Sequence, residues 1–197
     1  IGQGPAEVFN DKLAEYIFSY NSNNENSIAE NLRLAKNFNP GSATNVVFYL
    51  GDPAIKLAMA EPKVVLTKVN DIPITDAIPD FQSLAPMKIT GEVQDDGGSL
   101  LTTYNGEIAI NIFDKQITRS TLNNDFLSPP IDFNILGETI FRGNASVVNG
   151  KFEINFVVPR DIRISVDNGK ISFYAKRNQI RLDKTGYNTD IKIGGVN

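Results

Sequence analysis

Four short groups of residues carry side chains that could do chemistry. Gly51-Asp52-Pro53 puts a carboxylate at the end of an apolar run. In open α/β sheets the carboxyl ends of strands line the ligand crevice, so Asp52 is a candidate for a substrate cleft. The plainer reading is a turn, with Gly51 at a special backbone angle, Asp52 bonding nearby amides and Pro53 opening a new segment. Asp95-Asp96-Gly97-Gly98 offers carboxylates and carbonyls to a hard cation such as calcium. It lacks the Asp-x-Asp-x-Asp-Gly pattern and a glutamate at the twelfth position, so a solvated hairpin turn is the simpler reading. Asn144-Ala145-Ser146 matches a glycosylation acceptor, a pattern that chance also supplies in a chain this rich in asparagine.

The fourth group is electrostatic. Between Arg160 and Lys184 stand seven basic residues (Arg160, Arg163, Lys170, Lys176, Arg177, Arg181 and Lys184) against Asp161, Asp167 and Asp183. Read functionally, Arg160, Arg163, Lys176, Arg177 and Arg181 form an anion-facing patch suited to lipopolysaccharide phosphates or an acidic partner domain. Read structurally, they are solvated charges on strand faces and loops.

The missing residue types narrow the chemistry further. There is no cysteine and no histidine among 197 residues. That removes thiolate nucleophiles, disulfides, zinc sites of the Cys/His kind and any Ser-His or Cys-His pair. No cofactor or metal is expected. A net charge of -4 argues against general nucleic-acid binding. No apolar run reaches the roughly 20 residues needed to cross a bilayer. With 41% hydrophobic and 21% charged residues, the chain can build a real core. It opens at Ile1 with neither an initiator methionine nor a signal peptide, the form expected of a piece of something longer.

Two kinds of element must position these groups. Phe9, Leu13, Tyr16, Ile17 and Tyr20 recur at helical spacing after Pro5, until Asn21-Ser22-Asn23-Asn24 ends the pattern. Ser27 and Glu30 have the form of a capping box, opening a second helix through Ile28, Leu32 and Ala35 to about Asn37. Pro40-Gly41 then breaks the chain. Val46-Val47-Phe48-Tyr49-Leu50 is apolar without interruption and predicts a strand covered on both faces, as in a parallel sheet. Two helices and one strand cannot complete such a sheet, so residues 1–61 read as the last third of an α/β domain. Such a remnant would fold by packing its apolar stripes on its neighbour.

From residue 62 the pattern is mainly β. Val64–Val69 is one run. Met87, Ile89, Gly91 and Val93 alternate with polar residues, as do Ile108, Ile110 and Ile112, and Ile171, Phe173 and Ala175. Short alternating strands between turn clusters predict an antiparallel immunoglobulin-like β-sandwich over 62–197. Asn149-Gly150 predicts a type I′ hairpin with Val148 opposite Lys151. That register sets Val147 against Phe152, Ala145 against Ile154, Gly143 against Phe156 and Phe141 against Val158, and a one-residue slip would turn polar residues inward. Residues 114–136 show no period and read as an irregular crossing. Asp183 to Asn197 predicts one last strand before Gly194-Gly195.

Two stretches resemble a known family. Ser27-Ile28-Ala29-Glu30-Asn31-Leu32-Arg33-Leu34-Ala35-Lys36, followed by Phe48-Tyr49-Leu50-Gly51-Asp52-Pro53-Ala54-Ile55-Lys56-Leu57, resembles the carboxyl end of the caspase-like catalytic domain of gingipain-type cysteine peptidases. Residues 138–193 are similar to the region after that domain in the sortase branch of the family, which serves bacteroidete type IX secretion. The carrying residues are Phe141-Arg142-Gly143, Asn149-Gly150-Lys151-Phe152, Phe156 to Ile162, Ile171 to Ala175 and Thr185-Gly186-Tyr187-Asn188.

The resemblance implies a cell-surface or outer-membrane-associated parent that cleaves carboxyl-terminal sorting domains and attaches the cargo to lipopolysaccharide. It also implies that this chain's partners are the upstream catalytic domain and other secretion components. The family's nucleophilic Cys and its His lie upstream of the Leu-Gly-Asp-Pro segment, so no catalytic residue carries over. The expected role is non-catalytic, a sandwich that buttresses the catalytic domain. The competing reading is an independent surface adhesion or binding module. An exposed apolar face at Val46–Leu50, where strands are missing, separates the first reading from the second.

Overall fold

The computed structural model describes residues 4–18, 26–38, 40–57, 60–124, 129–177 and 183–196. The chain divides into two compact units, Ile1–Met59 and Ala60–Asn197.

The first unit is built on helices α1 (Gly4–Ile17), α2 (Ile28–Phe38) and α3 (Ser42–Asn45). Phe9 of α1 and Ala35 of α2 are buried, the two positions that anchor their apolar stripes. The predicted capping box forms by half. Ser27 Oγ accepts the Glu30 backbone N–H at 3.2 Å. The Glu30 carboxylate turns forward to Arg33 in a bidentate pair, 2.6 and 2.7 Å, instead of reaching back. Tyr20 and Asn21 to Asn24 lie outside the described residues.

The strand expected at Val46–Leu50 is not formed. Residues 47–50 run outside any helix or strand, and Val46, Phe48 and Leu50 are 72%, 76% and 94% exposed. The physical reason is the lack of a pairing partner. A strand exists only through hydrogen bonds to a neighbour, and among the described residues this unit holds no other strand.

The second unit is a β-sandwich. Its strands begin with β1 (Glu61–Pro62), β2 (Val64–Val69), β3 (Ile72–Pro73), β4 (Phe81–Ser83) and β5 (Pro86–Val93). β6 (Gly106–Phe113), β7 (Ile117–Ser120), β8 (Asp132–Ile135), β9 (Thr139–Val147) and β10 (Lys151–Val157) follow. β11 (Asp167–Asn168), β12 (Lys170–Lys176), β13 (Lys184–Asn188) and β14 (Lys192–Val196) complete the fold. One main sheet has the order β1-β13-β12-β6-β9 and the other β10-β5-β2-β3. A small sheet, β11-β14-β4, and a separate β7-β8 ribbon accompany them. Pairing is antiparallel throughout except β1 with β13 and β14 with β4.

Alternation puts the expected residues inward. Met87, Ile89 and Val93 of β5, Ile108, Ile110 and Ile112 of β6, and Ile171, Phe173 and Ala175 of β12 are all buried. In β2 a bulge between Leu66 and Lys68 shifts the phase by one, so that Val64, Leu66 and Val69 all face the core. Phe152 of β10 meets Phe173 of β12 across the sandwich at 5.4 Å between ring centres.

The Asn149-Gly150 turn forms as predicted. Both residues have positive φ, 50° and 78°, and Val148 and Lys151 exchange both backbone hydrogen bonds at 2.9 and 3.0 Å. The register beyond it is corrected. β9 pairs with β6 and β10 pairs with β5, so the two strands part into opposite sheets directly after the turn. The inward-facing sets are those expected, but they meet as packing between sheets. Phe141 stacks on Phe156 at 4.4 Å, in place of the predicted Phe141–Val158 pair.

Two further expectations change. Residues 114–136 contain the β7–β8 ribbon, with Ile117 opposite Ile135 and Arg119 opposite Phe133. The last stretch makes two strands, β13 and β14, and β14 runs through Gly194 and Gly195. Close approach explains Gly186: a Cβ there would stand 1.8 Å from the Val64 carbonyl oxygen. Gly186→Ala is expected to lower the unfolding free energy by about 3 kcal/mol, read as a reduced urea midpoint at unchanged slope.

Candidate functional site

At Gly51-Asp52-Pro53 the side chain of Asp52 bonds inside its own turn. Asp52 Oδ1 accepts the Ala54 N–H at 2.9 Å, and the Asp52 carbonyl accepts Ile55 N–H at 3.2 Å and the Tyr49 hydroxyl at 3.1 Å. Gly51 has φ 155°, and a Cβ there would meet Tyr49 Oη at 2.9 Å. This is turn chemistry. Asp95 behaves likewise, its Oδ1 accepting the Ser99 N–H at 2.9 Å. Among the described residues no group of acidic side chains is placed to hold a metal ion. Asn144 is exposed on β9 and donates to Glu107 Oε1 at 2.8 Å.

The structure divides the basic cluster instead of gathering it. Lys176 stands opposite Glu107 at the start of β6, Nζ to Oε2 at 3.1 Å. The hydrogen bond and charge of Lys176 hold the Glu107 carboxyl below its usual range. Arg177 lies over the ring of buried Tyr104, 4.2 Å from its centre. Arg163 meets Asp114, one residue past the other end of β6. Seven residues of extended chain separate Glu107 from Asp114, about 23 Å. Arg160 is exposed beyond β10, and Arg181 lies outside the described residues. A single anion cannot touch the two groups together, because side chains of this length do not span that gap.

Sequence reasoning missed the buried charges around Arg163. Asp114 and Lys115 are 5% and 2% exposed. Lys115 Nζ donates to Asp114 Oδ1 at 2.8 Å, to the Arg163 carbonyl at 2.8 Å and to the Ile193 carbonyl at 3.0 Å. Arg163 Nε donates to Asp114 Oδ2 at 3.2 Å, and its guanidinium also bonds the Lys115 carbonyl. All three ammonium protons are used, so the cluster is a lock joining the end of β6, the loop at Arg163 and β14. It has no free group for proton transfer. Its only sequence signal is an adjacent acid and base just past an apolar strand. That arrangement is common at strand ends.

Burial pushes the Asp114 carboxyl up, but the hydrogen bonds from Lys115 and Arg163 outweigh it and hold the carboxyl below its usual value. A depressed carboxyl stabilises the fold above the unfolded value of about 3.9, and this contribution is lost as pH falls through the native value. Asp114→Ala, which leaves Lys115 buried without its counter-charge, is expected to cost about 3–5 kcal/mol at neutral pH by denaturant unfolding. Its acid-unfolding curve is expected to be shallower than that of the wild type. Desolvation pushes the Tyr104 hydroxyl up to about 12, although the Arg177 charge opposes this. In an alkaline absorbance titration the Tyr104 hydroxyl should ionise near pH 12. Stability should fall from about pH 10, where unfolded tyrosine begins to ionise.

What remains functional in character is apolar surface. In the first unit it is the uncovered Val46, Phe48 and Leu50. In the second it is the β7–β8 ribbon. There Thr118 bonds Asn134 and Ser120 bonds Asp132 on one face, while Ile131, Phe133 and Ile135 are 65%, 45% and 38% exposed on the other. No helix among the described residues is long and apolar enough to cross a membrane.

No family model matches the sequence, and no curated protein matches it. Among solved structures the chain is similar to dimeric latent PorU from Porphyromonas gingivalis, at 23% identity and a TM-score of 0.60. The similarity covers 86% of this chain and 16% of that one. At this identity the likeness is one of fold. The sporulation control protein Spo0M from Bacillus subtilis aligns over 66% of this chain and 47% of its own, at 14% identity and a TM-score of 0.33, too low to indicate a shared fold.

Proposed function

We propose that this chain is the non-catalytic carboxyl-terminal part of a gingipain-type cysteine peptidase related to the type IX secretion sortase PorU. The parent cleaves carboxyl-terminal sorting domains from secreted proteins and attaches the cargo to the cell surface. The sandwich buttresses the catalytic domain and positions it toward other secretion components or lipopolysaccharide. Its place is the cell surface or the outer membrane, outside the cytoplasm.

One observation carries this reading. Val46, Phe48 and Leu50 lead into Gly51-Asp52-Pro53 while standing 72% to 94% exposed. An apolar stretch ordered as a strand in sequence and left unpaired is what remains when its sheet neighbours belong to another part of the protein. The PorU-like fold over 86% of the chain supports the same assignment, and so does the small share of PorU that it matches. The absence of cysteine and histidine from this chain supports a catalytic pair carried elsewhere in the parent.

The test uses the polypeptide encoded ahead of Ile1. It is expected to carry a His and then a Cys at successive strand ends. Purified separately, it should co-elute with this chain at equal stoichiometry. Phe48→Asp combined with Leu50→Asp should weaken the complex at least tenfold while leaving the melting temperature of the sandwich unchanged. Peptide hydrolysis by the purified chain alone, abolished by a substitution within it, would overturn the proposal. A natural gene product that begins at Ile1 would overturn it too, and would favour the adhesion module.

A further inference from the structure

Asparagine followed by glycine is a sequence at which the backbone can attack its own side chain, and the chain carries it at Asn105, Asn149 and Asn168. The glycine nitrogen, unshielded by a Cβ, gives up its proton to base and attacks the asparagine Cγ. The new N–Cγ bond closes a succinimide as the Cγ–Nδ2 bond breaks, and that nitrogen leaves as ammonia. Water then opens the ring at either carbonyl and leaves aspartate or isoaspartate. The sandwich supplies the reactants for this chemistry and blocks it at two of the sites. Asn149 and Asn168 are exposed, so their carboxamides meet water, while Gly150 and Gly169 are buried. Each glycine N–H is held by a carbonyl far away in sequence. Gly150 donates to Tyr104 at 2.8 Å and Gly169 to Ile191 at 3.0 Å. A nitrogen bonded in this way keeps its proton and cannot swing onto Cγ. The Asn149 turn is also fixed from its amino side, where Asn105 Oδ1 accepts the Asn149 N–H at 2.8 Å. At Asn168 the departing nitrogen is itself engaged, Nδ2 donating to the Thr189 carbonyl at 3.0 Å. Close packing demands both glycines. A Cβ would stand 2.5 Å from the Leu101 carbonyl oxygen at Gly150 and 2.8 Å from the Phe113 carbonyl oxygen at Gly169.

We infer that Asn149 and Asn168 are deamidation sites gated by the fold, closed while the Gly150 and Gly169 amides are bonded and reactive when those bonds open. The two stand at opposite ends of β6. Gly150 bonds Tyr104, just ahead of the first residue of that strand, and Gly169 precedes Lys170, which pairs with Phe113 at its last. Each site therefore records the opening of its own end of the sandwich. The record runs one way. Isoaspartate carries the main chain through the side-chain carboxyl and lengthens it by a methylene. The two-residue turn closed by Val148 and Lys151 at 2.9 and 3.0 Å cannot re-form around it. A chain that opens at Asn149 and reacts is thus barred from its original pairing. The inference goes beyond the role proposed above and does not depend on it.

One N–H is both the measured bond and the barrier, so two separate measurements must agree. Hydrogen exchange at the Gly150 and Gly169 amides reads how seldom each bond is open. Incubating the full chain at mildly alkaline pH, with peptide mass spectrometry at intervals, reads deamidation at Asn149 and Asn168. Synthetic peptides covering 145–154 and 164–173 supply the ungated rates. Each site in the folded chain should react at least tenfold more slowly than its peptide, and the slowing should match the exchange protection of the following glycine within about threefold. Unfolding the chain in urea should restore the peptide rate. Three results overturn the inference: a folded chain that reacts at the peptide rate at either site, a slowing that differs more than about tenfold from the protection of that glycine, or a slowing that persists in the unfolded chain.

Discussion

Two apolar sheet faces pressed together hold this molecule. Each of β5, β6 and β12 gives every second residue to that contact, and Ile89, Ile108, Ile110, Ile112 and Ile171 are wholly buried. The constraint works in both directions. It requires polar residues outside, where Arg142 bonds Asn111 and Lys176 pairs with Glu107 across neighbouring strands. It also requires glycine where backbones of the two sheets come within contact, as at Gly186 against Val64. The bulge in β2 serves the same contact by returning Val69 to the inner face.

At one end of the sandwich the core is closed by charge instead of hydrocarbon. A buried ion pair gains little over an apolar filling, because desolvating both charges costs about what their attraction returns. Directional bonding is what it adds. Lys115 reaches two carbonyls and one carboxylate at once, which fastens segments far apart in sequence in one geometry. That arrangement also engages Arg163, whose guanidinium bonds Asp114 and the Lys115 carbonyl. Of the other basic residues in this stretch, Lys176 pairs with Glu107 and Arg177 lies over the ring of Tyr104. Apolar side chains also stand exposed at Val46, Phe48 and Leu50 and on the β7–β8 ribbon.

The first unit illustrates how a strand differs from a helix. α1 and α2 satisfy their own backbone hydrogen bonds and form wherever their stripes find a partner. Val46–Leu50 has the composition of a buried strand but pairs with no strand among the described residues, and Val46, Phe48 and Leu50 stand in solvent.

Much of the fold was legible in the sequence, because alternation with period two is a local property that burial converts directly into a strand. The inward faces of β5, β6, β9, β10 and β12 and the Asn149-Gly150 turn could be read residue by residue. The β7–β8 ribbon escaped notice because neither of its strands is buried, so no apolar period marks it. Turn chemistry at Asp52 and Asp95 was equally readable, since those side chains bond within a few residues of themselves. Sheet membership was not. Whether β10 runs beside β9 or crosses to β5 depends on which pairing seals the core, and both choices keep the same inward residues. The fate of the charges was also beyond the sequence, because Asp114, Lys115 and Arg163 meet through a separation of nearly fifty residues that only the closed sandwich brings to hydrogen-bond distance. Local periodicity follows from residue order alone, whereas partner choice is a competition among surfaces that exist only once the chain has folded.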